Sequence, residues 1–296
     1  MQLTRRDFLR FCGVSAAALG LSAVDLSHLE QVLANPSAPS VLWLQGAGCT
    51  GCSVSFLNRI STTDPTDAAD ILLNHINLEY HPNIMSIAGQ SAVNILETAY
   101  NRGGYILAVE GGVPTAFGGA TCFAYTNNGV EVTFQQAVAS LAFRASKVVC
   151  IGTCASWGGM SAAPPNPTRV KGVKDAVNIS TINVAGCPPH PDWVVWVIVQ
   201  LLLGNTIPLD TDGRPTQFYA STIHSHCPRE DGGKATTFGQ DNLCLRELGC
   251  RGPKCKANCQ SVLWNNRQNW CIDANALCIG CTEPTFPSAT SFRQKV

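Results

Sequence analysis

The chain has 296 residues, of which 45% are hydrophobic and only 14% are charged, against about 25% charged residues in ordinary soluble domains. Twenty basic residues balance twenty acidic ones, so nothing in the charge indicates a nucleic-acid-binding surface. The length allows two domains and a sizeable core. The low charge indicates that much of the surface is covered by a partner or that the chain encloses cofactors. The alternative is a monomer with a weakly charged surface.

Residues 1–34 have the features of a twin-arginine export signal. Arg5 and Arg6 precede an apolar run over residues 14–24, which is far shorter than the ~20 residues needed to span a bilayer. Small residues before Asn35 predict cleavage there. Because the twin-arginine route exports folded proteins, the signal predicts a periplasmic protein whose cofactors are inserted before export. It also argues against disulfides that form after export.

Apolar runs that end at turns rich in glycine or proline predict five β-strands. Helical stretches separate several of them, for example residues 91–100 and 134–143. Apolar strands without polar alternation, separated by helices, predict a parallel sheet in an α/β domain, and we expect it to be flavodoxin-like. The predicted strands are residues 40–45, the end of 71–80, 105–109, 147–151 and 181–184.

Cysteines follow three of these strands directly. Cys49 and Cys52 follow the first strand, Cys154 the fourth and Cys187 the fifth. Ligands of parallel sheets bind beyond the carboxyl ends of the strands, so these four thiols predict a tetrathiolate metal site. Disulfides could use the same residues, but they would not need every cysteine at a strand end. A helix predicted from residue 53 would start beside two of the thiols and lower their pKa.

The pattern changes near Thr206, where the alternation of strands and helices stops. We therefore predict a sheet domain over residues 35–205 and a second, irregular domain over residues 206–296. Residues 224–281 hold eight of the chain's fifteen cysteines and no apolar period long enough to build a core. Three cross-linkers would hold such a segment together: disulfides, zinc or iron–sulfur clusters.

Four further predictions concern single features. The apolar run at residues 193–203 is too short for a membrane span, and we expect a buried helix there. His190 is expected to shape the turn before that helix. Glu79 and Glu110 lie near strand ends, where a carboxylate would be close to the metal site. These two carboxylates are candidates by position alone.

Together these features resemble the small, electron-transferring subunit of nickel–iron hydrogenases, and among its branches the periplasmic nickel–iron–selenium enzymes are nearest. The resemblance covers nearly the whole chain. The matching stretches, besides the twin-arginine leader, are residues 48–53, Glu110-Gly111, residues 152–155 with Gly158-Gly159, residues 186–192 and 212–215, His224-x-x-Cys227-Pro228, residues 248–253 and 265–270, and Cys278-x-x-Cys281-x-Glu283-Pro284.

The resemblance implies three iron–sulfur clusters and assigns twelve ligands to them. The proximal cluster, nearest the catalytic metals, would take Cys49, Cys52, Cys154 and Cys187. The distal cluster, at the surface, would take His224, Cys227, Cys244 and Cys250. The medial cluster would take Cys259, Cys271, Cys278 and Cys281, all three clusters then being of the 4Fe–4S type. Many relatives have proline at the position of Cys271, and without this ligand the medial cluster would be 3Fe–4S.

Four cysteines are left over: Cys12, Cys122, Cys150 and Cys255. Cys150 lies inside a predicted strand and is expected to act as a small buried hydrophobic residue. Cys255 precedes Cys259 by four residues and competes with Cys271 as a ligand. Some oxygen-tolerant relatives have two extra cysteines around the proximal cluster. The corresponding positions here are Gly51 and Gly159, which predicts an ordinary cubane.

The resemblance also implies a function and partners. The nickel–iron site that converts dihydrogen would belong to a large subunit, with or without selenium. This chain would conduct electrons between that site and a periplasmic acceptor, expected to be a multihaem cytochrome c. Two alternatives stay open at this point: a related cluster subunit that serves a different catalytic partner, and an exported binding protein held by disulfides.

Overall fold

The structure is a computed structural model that describes residues 40–61, 67–72, 76–265 and 267–287. The predicted export signal, with Arg5, Arg6 and Cys12, lies outside the described residues. None of the helices in the described part of the chain is long and apolar enough to cross a membrane.

A five-stranded parallel sheet organises the first part of the chain, as predicted. Its order along the sheet is β2-β1-β3-β7-β9, and every neighbouring pair is parallel. Among the five sheet strands this is the 2-1-3-4-5 order of flavodoxin-like folds. The sheet strands are β1 (Ser40–Gln45), β2 (Asn77–Tyr80), β3 (Ile106–Glu110), β7 (Lys147–Ile151) and β9 (Ile182–Val184).

Four shorter strands form two antiparallel pairs beside the sheet. β4 (Val113–Pro114) pairs with β8 (Val170–Lys171), and β5 (Phe123–Asn127) forms a hairpin with β6 (Val130–Thr133). The first pair lies just beyond the end of β3, and it therefore belongs to the same edge of the sheet as the predicted metal site.

Helices cover both faces of the sheet. They are α1 (Gly51–Leu57), α2 (Ala68–Asp70), α3 (Gly89–Arg102), α4 (Phe134–Arg144), α5 (Thr153–Trp157), α6 (Val173–Val177) and α7 (Pro191–Leu202). In α4, Thr133 and Gln136 form a capping box, in which two side chains satisfy the unpaired amides of the first turn. The helix predicted at residues 193–203 is confirmed as α7, whose first turns are buried, whereas Leu203 lies beyond its end and is exposed.

The two faces of the sheet bury separate sets of side chains because residues alternate along each strand. In β1, Val41 and Trp43 pack into one core with α1 and α7. Leu42 and Leu44 pack into the other core, which contains buried residues of α3 and α4. This gives the α/β architecture that the sequence predicted.

The last part of the chain is irregular, with only two short α-helices, α8 (Thr216–Tyr219) and α9 (Cys259–Val262), among its described residues. It nevertheless buries apolar side chains against the first core, including Leu245, Trp270 and Ile272. The tail is thus held by burial against the sheet domain. The sequence did not predict this packing, because the tail has no apolar period of its own.

Candidate metal centres

The parallel sheet brings the four predicted proximal ligands to one edge. Cys49 and Cys52 lie beyond β1, Cys154 lies in the first turn of α5 after β7, and Cys187 lies three residues after β9. The approach is close, because a Cβ atom built on Gly152 would lie 2.5 Å from Sγ of Cys52. Only glycine leaves room for that sulfur at this point.

The four proximal thiols interact electrostatically. Burial raises the pKa of Cys52 well above its ordinary value, and the charges of Glu110, Cys154, Cys187 and Cys49 raise it further. We expected the start of α1 to lower this pKa, and that prediction is wrong because burial and neighbouring negative charge outweigh the end of a short helix. Four thiolates here need a positive group among them, and thiolates are the usual ligands of iron–sulfur clusters. The donor set therefore fits such a group.

Glu110 contacts the backbone of this set, whereas Glu79 pairs with Arg102 at 2.8 Å elsewhere. The Glu110 carboxylate is 1% exposed and accepts hydrogen bonds from the backbone amides of Cys52, at 3.1 Å, and Ser53, at 3.2 Å. It also accepts hydrogen bonds from the Ser53 hydroxyl and, at 3.1 Å, from the Trp43 indole. Glu110 thus fixes the start of α1 and with it the position of Cys52.

A buried histidine extends this network. Nε2 of His81 lies 3.2 Å from Oγ of Ser53, and Nδ1 accepts a hydrogen bond from the Asn83 amide at 3.1 Å. Burial lowers the pKa of His81 to about 4, so the ring is neutral at neutral pH. Sequence reasoning missed this Ser–His–Glu arrangement, and no local motif indicates it because Ser53 lies in α1, His81 follows β2 and Glu110 ends β3.

The four predicted distal ligands line one pocket in the tail. His224, Cys227, Cys244 and Cys250 face the same space, and the charges of Cys250 and Cys244 raise the pKa of Cys227, after the larger effect of burial. Nε2 of His224 also lies 3.9 Å from a carboxylate oxygen of Glu230. One imidazole and three thiols form a donor set that fits an iron–sulfur group.

The predicted medial ligands also converge. Burial raises the pKa of Cys259 and Cys281, and the charge of Cys271 raises both further. Interaction with Cys255 and burial raise the pKa of Cys278, and the charge of Cys281 raises it further. Cys271 is exposed, although its neighbours Trp270 and Ile272 are buried. Four thiols around one centre again fit an iron–sulfur group.

The leftover cysteines divide into two kinds. Cys150 is fully buried inside β7, as predicted, and Cys122 packs against the same core on the face away from α1. Cys255, in contrast, interacts electrostatically with Cys259 and Cys281. It is thus a fifth thiol near the medial set, as its position four residues before Cys259 predicted.

Hydrogen bonds made by residues next to the ligands join neighbouring sets. The hydroxyl of Thr153, which precedes Cys154 of the proximal set, donates to the carbonyl of Cys281 in the medial set. The amide of Arg251, which follows Cys250 of the distal set, donates to the carbonyl of Cys278 in the medial set at 2.7 Å. The medial set therefore adjoins both of the others.

Each of the fourteen cysteines in the described part of the chain is a free thiol, so none of the candidate ligands there is in a disulfide. In the same residues, no three histidine, cysteine or acidic side chains are grouped tightly enough to hold a single metal ion. The structure thus places the proximal cysteines at one edge of the sheet and the distal residues around one pocket, while the assignment of the twelve residues as cluster ligands stays a prediction.

Comparisons with known proteins decide the family. Residues 49–201 match the family model of the NADH ubiquinone oxidoreductase 20 kDa subunit, and residues 219–293 match the C-terminal model of the NiFe/NiFeSe hydrogenase small subunit. The periplasmic [NiFe] hydrogenase small subunit of Solidesulfovibrio fructosivorans is 38% identical over 96% of this chain and 90% of its own length. This chain belongs to the small subunits of nickel–iron hydrogenases.

Both branches of this hydrogenase family are represented among the relatives. The periplasmic [NiFeSe] hydrogenase small subunit of Desulfomicrobium baculatum is 38% identical over 98% of this chain and 98% of its own length. The solved [NiFeSe] hydrogenase of Desulfovibrio vulgaris Hildenborough matches with a TM-score of 0.81 at 36% identity, covering 88% of this chain and 98% of the other. The chain is thus part of a hydrogenase, an oxidoreductase.

Proposed function

We propose that this hydrogenase small subunit conducts electrons through three iron–sulfur clusters between a dihydrogen-converting large subunit and a periplasmic acceptor. The observation that carries the proposal is that hydrogen bonds join the medial set to both of the others, from Thr153 to the Cys281 carbonyl and from the Arg251 amide to the Cys278 carbonyl at 2.7 Å. Iron–sulfur clusters bound at the three sets would supply one-electron chemistry at potentials tuned by their ligands and surroundings. The chain's own part is to hold the sets in a fixed row.

The proposed ligands are those assigned from the sequence. They are Cys49, Cys52, Cys154 and Cys187 for the proximal set, Cys259, Cys271, Cys278 and Cys281 for the medial set, and His224, Cys227, Cys244 and Cys250 for the distal set. We further propose a division into the export signal over residues 1–34, the sheet domain over residues 35–205 and the cysteine-rich domain over residues 206–296. The twin-arginine signal would deliver the chain to the periplasm, the compartment named for its relatives.

The large subunit would cover the edge of the sheet beside the proximal set. Cys49 is exposed there, and α1, which carries Cys52, presents the apolar side chains of Val54 and Leu57 at 51% and 46% exposure. Ile60, just beyond the end of this helix, is 63% exposed. A groove of about 670 Å³ runs beside this helix. Electrons from a dihydrogen-converting partner must enter at the proximal set, and the adjoining apolar face suits a permanent protein interface.

The acceptor would approach the opposite end of the row, at the distal set. The His224 side chain is 22% exposed, and the surrounding tail carries both acidic and basic residues. A histidine ligand there would shift the potential of the outermost cluster relative to an all-thiolate site, and its second ring nitrogen is free to be oriented by a neighbour such as Glu230. A periplasmic multihaem cytochrome c is the acceptor that the family resemblance suggests.

Purification of the chain with its co-expressed large subunit tests the proposal. We expect a brown complex with broad visible absorption, about twelve irons in this subunit, and loss of part of that iron in Cys187→Ser and Cys278→Ser. Cys150→Ser, at a buried cysteine outside all three sets, is the matched control and should keep the full iron content. A colourless, iron-free complex would overturn the proposal and leave the disulfide-held binding protein as the better account.

The docking face has its own test. Leu57→Asp places a charge in the apolar face of α1 and should abolish co-purification of the large subunit. Phe143→Asp changes another exposed apolar side chain, 81% exposed on α4, and should leave the complex intact. Equal retention of the partner by both variants would place the interface elsewhere.

A further inference from the structure

The short helix α9 carries Cys259, one of the proposed medial ligands, and side chains from the start of α7 hold both of its ends. A helix of four residues is not stable by itself, so its place depends on such contacts. The indole N–H of Trp193 donates to Oδ1 of Asn258, just before α9, at 2.9 Å. Nε2 of His190 lies 2.6 Å from the carbonyl oxygen of Leu263, just after α9. Cys259 thus lies between two hydrogen bonds from one segment of the chain.

The direction of the His190 bond follows from its other ring nitrogen. Nδ1 accepts a hydrogen bond from the Asp192 amide at 3.2 Å and so caps the start of α7. A neutral imidazole has one donor and one acceptor nitrogen, so the ring hydrogen is on Nε2 and is donated to Leu263. The ring is 5% exposed and packs edge-on against Trp264, with 5.0 Å between the ring centroids. His190 therefore joins the beginning of α7 to the end of α9.

Leu263 has a backbone conformation that a residue with a side chain rarely adopts. Its φ is 53° and its ψ is 162°, close to a region that is essentially reserved for glycine. Such a conformation persists only where the surroundings hold it. Here the Leu263 amide donates to the Cys259 carbonyl at 3.0 Å, and the Leu263 carbonyl accepts from His190. The imidazole thus stabilises a turn that leucine would otherwise leave.

The segment that holds α9 is itself fixed beside the proximal set. His190 follows Cys187 by three residues, and the carbonyl of Pro189 between them accepts a hydrogen bond from the Ser55 hydroxyl of α1 at 2.7 Å. Trp193 is completely buried in the core. The same stretch of chain therefore leaves the proximal set and holds a residue of the medial set.

We propose that His190 and Trp193 are positioning residues of the medial cluster, which hold α9 at both ends and so keep the Cys259 sulfur in place as a ligand. This inference rests on the proposed function, since it needs a cluster at the medial set. Residues that orient a metal ligand without binding the metal strengthen metal binding, and their loss typically weakens it by about 10–100-fold.

Two substitutions of His190 in the complete hydrogenase complex separate its two hydrogen bonds. His190→Asn keeps an acceptor for the Asp192 amide, because asparagine is a favoured residue at a helix start, but its side chain is too short to reach the Leu263 carbonyl. His190→Gln places an amide N–H near the position of Nε2. With an iron chelator present, the medial signal in electron paramagnetic resonance should decay about tenfold faster in His190→Asn and at nearly the wild-type rate in His190→Gln.

A second substitution tests the turn itself. Glycine adopts the backbone conformation of Leu263 without strain, so Leu263→Gly removes the need for the imidazole. The double variant His190→Asn/Leu263→Gly should recover a stable medial signal, and Leu263→Gly alone should keep it. If His190→Asn does not fold, the double variant must still give a folded complex with the medial signal. Loss of the signal in the double variant or in Leu263→Gly would overturn the inference.

The other end of α9 has its own matched pair. Trp193→Phe keeps an aromatic ring but removes the N–H that Asn258 accepts, and it should also speed the decay of the medial signal. Trp196, another tryptophan of α7, packs against Phe218 with 5.1 Å between the ring centroids. Trp196→Phe should leave the medial signal unchanged. Equal decay in the two variants would show that α7 acts through packing alone, which contradicts the proposed role of Trp193.

The proximal and distal signals separate positioning from general loss of stability. They should be unchanged in His190→Asn, and their parallel decay would overturn the inference, as would a wild-type medial decay rate in that variant. Equal decay in His190→Asn and His190→Gln would likewise contradict it. A wild-type complex without iron–sulfur signals would instead overturn the proposed function itself.

Discussion

The hydroxyl of Thr153 donates a hydrogen bond to the backbone carbonyl of Cys281. Thr153 also accepts a hydrogen bond from the Gly186 amide at 2.9 Å, so this one side chain joins the loops after β7 and β9 to the tail. The residue after it, Cys154, belongs to the proximal set, whereas Cys281 belongs to the medial set. The spacing between the two sets is therefore fixed by buried hydrogen bonds and not by a flexible linker.

Replacing Cys271 with proline is expected to convert the medial cluster into a 3Fe–4S cluster. Proline removes the fourth thiolate, while the buried neighbours Trp270 and Ile272 keep the register of the loop. The oxidised protein should then show a new three-iron signal in electron paramagnetic resonance, with a higher medial potential. Cys122→Ser, which removes a thiol outside all three ligand sets, is the control and should leave the spectrum unchanged. An unchanged spectrum in Cys271→Pro would transfer the ligand role to Cys255.

The proximal cluster is expected to cycle through a single redox couple, because this chain lacks the two extra cysteines of some oxygen-tolerant relatives. At Gly159 a side chain does not fit: φ is +46°, and a Cβ atom would lie 2.9 Å from the Cys154 amide nitrogen. Gly159→Ala should destabilise the protein by more than the ~1–2 kcal/mol of the left-handed backbone alone. A redox titration that shows a second, superoxidised proximal state would contradict the prediction.

Gly129 provides the control for that substitution. It also has a positive φ, +85°, but a Cβ atom there would have nothing within 4 Å. Gly129→Ala therefore incurs only the backbone penalty, and urea unfolding of the two variants isolates the cost of the clash. Equal destabilisation in both would show that the loop at Gly159 has room to move.

Arg214→Ala is expected to destabilise the attachment of the tail. The Arg214 side chain is fully buried and pairs with Asp210 at 2.9 Å and with Glu283 at 3.0 Å, and it also donates to the Thr282 carbonyl at 2.9 Å. Removing one partner of a buried ion pair costs about 3–5 kcal/mol, and the partial exposure of the carboxylates places the loss near the lower end. Urea unfolding and limited proteolysis of the tail should both report it.

A surface ion pair is the matched control for Arg214. Arg102 pairs with Glu79 at 2.8 Å, but its side chain is 49% exposed. Exposed pairs contribute at most about 1 kcal/mol, so Arg102→Ala should leave the unfolding free energy nearly unchanged. An equal decrease in the free energy of unfolding in both variants would contradict the prediction that burial makes the Arg214 network more important than the surface pair.

Acid should weaken the fold through His81. Its pKa falls from 6.5 to about 4 on folding, so the unfolded chain binds a proton that the folded chain refuses. Above pH 6.5 the ring is neutral in both states, and this group does not reduce the free energy of unfolding. As the pH drops towards 4, the free energy of unfolding decreases by about 3 kcal/mol in total. Melting curves across this window should show a weaker pH dependence in His81→Gln than in the wild type.

Export is expected to depend on the twin-arginine pair. Changing Arg5 and Arg6 to lysine should retain both subunits in the cytoplasm, because the large subunit would travel with this chain as a folded complex. Cell fractionation and hydrogenase activity in each fraction measure the effect. Arg10→Lys keeps the pair and should export normally. Normal periplasmic activity without the pair would exclude the twin-arginine route.

The sequence predicted that the proximal cysteines meet at one edge of the sheet because a parallel sheet collects the carboxyl ends of its strands. Cys154 and Cys187 follow strands that are recognisable from short apolar runs, and their convergence needs no knowledge of side-chain contacts. The tail is different. Nothing in the spacing of Cys255 and Cys271 shows which sulfur faces the medial centre, since that depends on an irregular backbone packed against the sheet domain.

Local sequence patterns also did not predict the contacts that surround the proximal site. Glu110 reaches the amide of Cys52 across 58 positions of the chain, so only its place at a strand end made it a candidate. The pKa of Cys52 was predicted in the wrong direction, because helix position is visible in the sequence whereas burial and neighbouring charge are not. Contacts over such separations come from the completed fold.

The placement of the proximal thiols also sets an order of assembly. Cys52 and Cys187 are separated by 135 positions (187 − 52), and they meet only after the strands between them have paired. A ribosome must therefore release most of the polypeptide before this centre can receive iron. Closing so long a loop reduces the entropy of the unfolded chain by the equivalent of about 5 kcal/mol when it is cross-linked. Only a chain with a completely formed sheet would then bind a cluster at the proximal set.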